Sequence, residues 1–509
     1  MNAALLPLLI ALPLGTAAFL VLGRFPRALE RTLFLLPSGG LLAVSTVLLW
    51  RVRDGTVLAH NVALWPGGVA IPLVVDAFSA LMLCATALLI LLCSVFAITV
   101  GDDHASYFVP LVLVMAAGVA GALMTADLFN MFVFIEVMLL PSYGLLTMLG
   151  SRRRIRAGRV YVALNLLTST IFMAGVALVY GSAGTVNLAS LAGAARESAA
   201  VAVGVSVVVL ALWVKAAVVP VHGWLARTYT GTSVAVTALF SGLHTKVAIY
   251  AIYRLYAVAF DGDTRFLWIG VLAFSLTMAI GVLGAVGETT TRSILVFHMI
   301  SQIGYILLGV ALFTELGLMA GIFYLVHNMF VKASLFLSTG AVEHTYGTDS
   351  LDRLGGIARR EPLLAMVFLV GALSLAGLPP FSGFIAKVTL VAAALEAQQW
   401  AAAAIAVVVS VITLMSMMKI WSGAFWGTPP KDEAEDARDE DAGGAGTGTE
   451  GGLAVLAPPR VRPILLLPAL VLALLTLALG LGGQILLGLS AQAATHLLDP
   501  STYVEAVLR

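Results

Sequence analysis

Long apolar runs separated by short polar stretches dominate the chain. A run of about 20 apolar residues crosses a bilayer as a helix, because lipid offers the backbone no hydrogen-bond partner. About fourteen such runs are predicted, near 3–22, 32–50, 75–99, 107–125, 128–149, 160–181, 202–226, 231–257, 266–286, 292–313, 316–341, 363–394, 399–423 and 463–488. The pattern predicts an all-α polytopic membrane protein. The first run lacks the basic n-region and small-residue cleavage site of a signal peptide and reads as a retained helix. One stretch departs from the pattern: 431–452, KDEAEDARDEDAGGAGTGTEGG, is acidic and glycine-rich and reads as a disordered linker before the last helix.

Composition sharpens this picture. Of 509 residues, 60% are hydrophobic and 11% charged, with a mean hydropathy of +1.02; soluble domains carry roughly 25% charged residues. A water-soluble globule is excluded. The net charge is +1 and no basic stretch is interleaved with aromatics, so no nucleic acid is expected as a partner. Cys84 and Cys93 lie in one apolar run about 13 Å apart along a helix, too far to bridge. A Cys cluster, HExxH and GxGxxG after a strand are all missing, so no metal and no cofactor is expected.

Orientation follows from the loop cations, which concentrate on the cytoplasmic side. Loops after odd-numbered spans hold 17 Lys and Arg, among them Arg152, Arg153, Arg154, Arg156 and Arg159. Loops after even-numbered spans hold 5: Arg51, Arg53, Arg196, Arg254 and Arg265. Odd-numbered loops are therefore predicted cytoplasmic and both termini external. With Arg509 set aside, five cations remain, all lysines within predicted spans: Lys215, Lys246, Lys332, Lys387 and Lys419. Lysine shifts its pKa readily on burial and releases a proton, which arginine does not. Each costs about 2.5 to 3.5 kcal/mol on insertion scales, so an ion or proton path is the default reading.

Glu136, eight residues into the fifth span, is the one central carboxylate; Asp76 and Asp127 fall where helices begin. It reads as the ion-pair partner of a lysine, against the plainer reading of a neutral carboxylic acid bonded to a neighbouring helix. Lys419 lies near the end of its span and is expected to snorkel to the interface. His327 and Lys332 are about 140° apart on a helix, and His244 and Lys246 about 200°, so neither pair shares a face. His298 and Gln302, at i and i+4, do share one, as a relay or as a satisfied core histidine.

Two spans carry proline breaks beside a lysine: LWVKAAVVPVHGWLARTY with Pro220, and ALSLAGLPPFSGFIAKVTL with Pro379 and Pro380. Proline removes a backbone donor and interrupts the helix. Broken helices 7 and 12, five spans apart, predict two inverted five-helix repeats, helices 4–8 and 9–13. The expected divisions are 1–106 (helices 1–3), 107–257 (first repeat), 258–427 (second repeat), 428–462 (acidic linker) and 463–509 (helix 14 and tail).

The segments TADLFNMFVFIEVMLLPSYGLL, TGTSVAVTALFSGLHTKVAIYAIYR, RSILVFHMISQIGYILLG, YLVHNMFVKASLFLSTG and LAGLPPFSGFIAKVTL resemble the antiporter-like subunits shared by respiratory complex I, membrane-bound hydrogenases and Mrp-type sodium/proton antiporters. The resemblance covers roughly residues 70 to 427 and is greatest to the D-type branch of the Mrp antiporters, which the chain length also suits. It implies fourteen helices with inverted repeats and a mid-membrane chain of protonatable groups. Glu136 matches the family's fifth-helix glutamate, Lys215 the seventh-helix lysine, Lys246 the eighth-helix lysine and Lys387 the twelfth-helix lysine. His327 and Lys332 match its polar eleventh helix and His298 its tenth. His244 stands where relatives usually carry an apolar residue, and HGWLARTY lacks the proline many of them have after Trp-Leu.

The implied function is proton translocation in a multisubunit Na+/H+ antiporter of a prokaryotic plasma membrane, a secondary transporter rather than an enzyme, with subunits A, B, C, E, F and G as partners. In this reading Glu136 stabilises protonated Lys215, and loss of that partner releases the proton through Lys246 and waters toward Lys387, with His298, His327, Lys332 and His244 as secondary members. One charged oxygen at depth is too few for an all-protein sodium cage, so sodium is expected to cross in a partner subunit. The rivals are a proton-pumping subunit of a complex I type NADH:quinone oxidoreductase or a hydrogenase, and a scaffold whose lysines only pair internally.

Overall fold

A computed structural model describes residues 3–65, 69–148, 150, 152–427 and 460–509. The linker expected at 431–452 lies outside the described residues. The elements in chain order are α1 (Leu8–Val21), α2 (Arg27–Val52), a hairpin of β1 (Leu58–Asn61) and β2 (Pro72–Val75), α3 (Ala77–Val100), α4 (Phe108–Met124), α5 (Leu128–Thr147) and α6 (Arg152–Ala183). There follow α7 (Ala194–Glu197), α8 (Ala199–Ala216), α9 (Gly223–Tyr229), α10 (Val234–Ala259), α11 (Leu267–Gly287), α12 (Thr291–Leu312) and α13 (Glu315–Tyr346). The chain ends with α14 (Ile357–Arg360), α15 (Pro362–Ala376), α16 (Ser382–Glu396), α17 (Trp400–Ile420), α18 (Pro463–Leu481), α19 (Gly483–Leu498) and α20 (Ser501–Leu508).

Among the described residues, 12 helices are long and apolar enough to cross a membrane, and Phe108–Met124 and Pro362–Ala376 are shorter apolar helices. The outer helices expose large apolar side chains such as Leu36, Leu167, Leu283 and Met415, as lipid contact demands. By contrast, α10 and α13 are buried along their whole apolar windows and α12 nearly so. Polar groups at membrane depth are tolerated only inside a bundle, and these three helices carry His244, Lys246, His298, Gln302, His327 and Lys332.

Two stretches of chain make the same contacts 163 residues apart. The isolated pairing of Asp127 with Asn187 recurs as Thr290 with Ser350, and both Asp127 and Thr290 cap the helix that follows. Gly118 packs on the backbone of Met138 as Gly281 packs on that of Ser301. The first pairing lies beside the hairpin, through Ala126 N donating to Pro72 O, and the second beside the Arg292–Glu343 pair.

The two proline breaks end their first half-helices alike. Ala217 (φ 61) and Gly377 (φ 88) both take the left-handed conformation, and each N–H returns to two carbonyls of the last turn. Trp224 Nε1 donates to Val214 O at 2.9 Å across the first break, and Val219 N donates to Thr277 Oγ1 at 3.1 Å. The freed backbone groups are thus satisfied within the protein. Left-handed backbone is costly for alanine and free for glycine. Ala217→Gly is therefore expected to raise stability by up to about 1 kcal/mol, and Gly377→Ala to lower it, since its Cβ would lie 2.6 Å from Lys387 Cδ; thermal unfolding of the purified protein measures both.

Three expectations need correction. The last apolar run, expected over 463–488, ends as a helix at Leu481, and the separate helices Gly483–Leu498 and Ser501–Leu508 follow. The arginine stretch 152–159, expected as loop, is the first two turns of α6, because arginine is a good helix former. Arg254, counted among external loop cations, lies inside α10 and is buried, as is Arg292 in α12. The buried cations are therefore not lysines alone.

Candidate functional site

The geometry centres on the first break. Lys215 sits in the last turn of α8, one residue before the helix ends at Ala216, and is buried. Its Nζ lies 3.7 Å from Glu136 Oε1 on α5 and donates to Ser169 Oγ on α6 at 3.5 Å. Ser169 in turn donates to Glu136 Oε1. The expected Glu–Lys pair is thus a three-membered arrangement with a hydroxyl between its charges. One side of Glu136 faces outward from the chain: its side chain is 21% exposed, beside the exposed Phe129 and Leu140.

A second string runs inward from α5. Ser142 Oγ lies 3.1 Å from the Tyr161 hydroxyl, which is 3.3 Å from His244 Nδ1. Nε2 of His244 has no protein partner among the described residues. Two residues further along α10, buried Lys246 points elsewhere, its Nζ donating to Thr245 Oγ1 at 3.3 Å. The two do take different faces, as their spacing requires.

On α13, which packs against α10, Lys332 Nζ donates to Leu295 O of α12 at 3.0 Å. His298 is one turn further along α12, and its Nε2 is 2.9 Å from Ser416 Oγ of α17. Gln302 shares that face but reaches a different helix, accepting from the Tyr324 hydroxyl, so no direct His298–Gln302 bond forms.

The second break gathers its own cluster. Lys387 on α16 donates to Ala376 O, the last carbonyl of α15, at 2.9 Å, and its Nζ lies 5.3 Å above the Tyr305 ring. Tyr305 stacks on Tyr324 at 5.2 Å, and Tyr324 meets His327 edge-on at 5.7 Å. His327 Nδ1 is 2.8 Å from Ser382 Oγ at the start of α16. Lys332 and His327 thus reach different neighbours. Lys419 bonds the carbonyls of Val286 and Glu288 at the end of α11, at 2.9 and 2.6 Å, outside this row.

Chemically, the arrangement is a set of buried amines and imidazoles, each bonded to a hydroxyl or a backbone carbonyl, with the Ser169 hydroxyl bridging Lys215 to the Glu136 carboxylate. Buried polar atoms without protein partners, among them Nε2 of His244, Nδ1 of His298 and Nε2 of His327, call for ordered water. Such a set suits proton hopping rather than binding a hard cation, which takes several oxygens. Among the described residues no group of three His, Cys, Asp or Glu is arranged to hold a metal ion.

Sequence reasoning missed Ser169, which bridges Glu136 and Lys215, and Tyr161 and Ser142, which lead from α5 to His244; all three carry hydroxyls common in helices. It also missed the buried contact of Arg254 with Asp76, Nη1 to Oδ2 at 2.7 Å. Tyr250 and Arg254 following Lys246 at four-residue intervals were the available signal.

Residues 125–413 match the family model described as NADH:quinone oxidoreductase/Mrp antiporter, transmembrane. The chain is 36% identical to the Na(+)/H(+) antiporter D subunit of Alkalihalophilus pseudofirmus over 514 residues, covering 100% of this chain and 99% of that one. Its structure is similar to a chain of the Mrp complex from Dietzia sp., with a TM-score of 0.93, 55% identity, and 100% and 99% of the two chains covered. A chain of respiratory complex I from Thermus thermophilus is similar at a TM-score of 0.79 and 25% identity, with 97% and 100% covered.

Proposed function

Because the chain belongs to the NADH:quinone oxidoreductase/Mrp antiporter family, we propose that it is the D-type, proton-translocating subunit of a multisubunit Na+/H+ antiporter. The observation that carries this reading is the Glu136–Ser169–Lys215 arrangement at a helix break. A carboxylate beside a buried amine favours the protonated amine, and moving or neutralising it favours proton release. The proton then passes through Lys246, Lys332 and Lys387, with His244, His298 and His327 and bound water between them. Twelve apolar helices of spanning length among the described residues support a multi-pass protein; in a bacterial plasma membrane the arginine-rich face would be cytoplasmic and the hairpin face, with both termini, external.

The outward side of Glu136 supports assembly with partners, because a charge facing lipid is expensive. The partner subunits are A, B, C, E, F and G, and sodium crosses in one of them. The boundaries 107–257 and 258–427 mark the two repeats, in keeping with the contacts that recur at a fixed offset. Similarity to a complex I chain favours one alternative, a redox-driven proton pump.

Proton movement in membrane vesicles carrying the intact complex separates the two. Sodium-dependent exchange without an electron donor is the expected result. Proton movement only on adding a quinone or hydrogenase substrate would instead assign the chain to a redox complex.

A further inference from the structure

Six cations are buried among the described residues: Lys215, Lys246, Lys332, Lys387, Arg254 and Arg292. The lysines can release a proton; the arginines cannot. Arg254 stands two turns along α10 from Lys246, about 12 Å, with Tyr250 midway on the same side of the helix. Its Nη1 lies 2.7 Å from Asp76 Oδ2, and its Nη2 donates to Asp76 Oδ1 at 2.8 Å, with both side chains at most 2% exposed. Asp76 is itself fixed, because it caps α3 through a reciprocal pair of bonds with Ser79.

The surroundings close this end. The Tyr250 hydroxyl accepts from Arg254 Nη2 at 3.2 Å and donates to Leu123 O at 2.8 Å. On the hairpin side the Tyr503 ring of α20 lies 4.7 Å from the guanidinium. The opposite face differs: Arg292 pairs with Glu343 at 2.6 Å, but Glu343 is 33% exposed, so water reaches that pair.

We propose that the Asp76–Arg254 pair is an electrostatic plug that insulates Lys246 from the hairpin face, resting on the reading that Lys246 carries protons. Both carboxylate oxygens face the guanidinium, Oδ1 accepting from Nη2 and Oδ2 lying 2.7 Å from Nη1, so the acceptor nearest this end is held against a fixed positive charge. A proton approaching from either side meets a fixed cation in a buried, low-dielectric setting, where charges interact strongly. A proton on Lys246 then leaves along the lysine row instead of leaking outward, as coupling to another ion requires. Asp76 and Arg254 act as positioning residues, touching no transported ion.

The test uses vesicles carrying the whole complex, a proton gradient imposed without sodium, and the rate of its collapse. In Asp76→Asn/Arg254→Gln, collapse is expected to quicken by about tenfold or more and to return to the wild-type rate when Lys246→Ala is added. Wild-type tightness in the assembled double variant overturns the plug, and so does a leak that persists after Lys246→Ala. Should the double variant fail to assemble, Arg254→Lys keeps the charge on a group able to shed its proton. It is then expected to leak about tenfold faster, and wild-type tightness overturns the proposal. Failure of the underlying route shows separately, as sodium-driven exchange that survives Lys246→Ala.

Discussion

Glu136→Ala is expected to reduce sodium-dependent proton exchange by at least about a hundredfold in an assembled complex. Each 1.4 kcal/mol is about tenfold in rate, so a hundredfold loss corresponds to about 2.8 kcal/mol of lost stabilisation of protonated Lys215 by its carboxylate partner. The loss is concentrated on one oxygen: Glu136 Oε1 accepts from Ser169 and faces Lys215 Nζ at 3.7 Å, so one truncation removes the acceptor of Ser169 and the counter-charge of Lys215. Glu136→Gln separates the contributions. It keeps an oxygen for Ser169 but removes the charge, and is expected to preserve assembly while losing most exchange. Wild-type exchange in Glu136→Gln would mean that hydrogen bonding, not charge, does the work at this position. Initial rates of proton movement after a sodium pulse, scaled to assembled complex, measure each variant.

Gly383→Ala is expected to be the most damaging small substitution in the fold. Its Cβ would collide with the Ser374 carbonyl and lie 3.1 Å from His327 Cε1. Only a residue without Cβ lets the first turn of α16 cross the last turn of α15 at this distance. Overpacking typically costs about 1–3 kcal/mol, and a backbone carbonyl cannot rotate away as a side chain does. Lower yield of assembled complex and a lower unfolding temperature are expected. Gly223→Ala, at the start of α9 after the other break, is the control: nothing lies within 4 Å of its added Cβ, so it is expected to behave as wild type. Equal stability of the two variants would contradict this explanation of the second break.

Much of this architecture was legible because two strong physical rules act on the chain. Lipid forces long apolar runs into helices, so the spans stood out, and proline forced the breaks at Pro220 and Pro379–Pro380. Charge at depth is expensive, which singled out Glu136, Lys215, Lys246 and Lys387. What stayed hidden depends on neighbours distant in sequence. Ser169 gains meaning only when α6 lies against α5 and α8, and a serine in an apolar helix most often bonds its own backbone, as Ser182 does. Arg254 looked like a loop cation because Asp76, its partner, is 178 residues away. The end of α18 escaped because apolar residues continue past Leu481, whereas Gly482 and Gly483 stop the helix.

The most direct test of the central claim is sodium-dependent proton movement in vesicles carrying the whole complex, wild type against Lys215→Ala, after assembly of the variant has been verified. Wild type is predicted to exchange protons for sodium, and Lys215→Ala, fully assembled, is predicted not to. Wild-type exchange in the assembled Lys215→Ala complex would contradict the claim and leave this chain a scaffold beside a proton path that runs elsewhere.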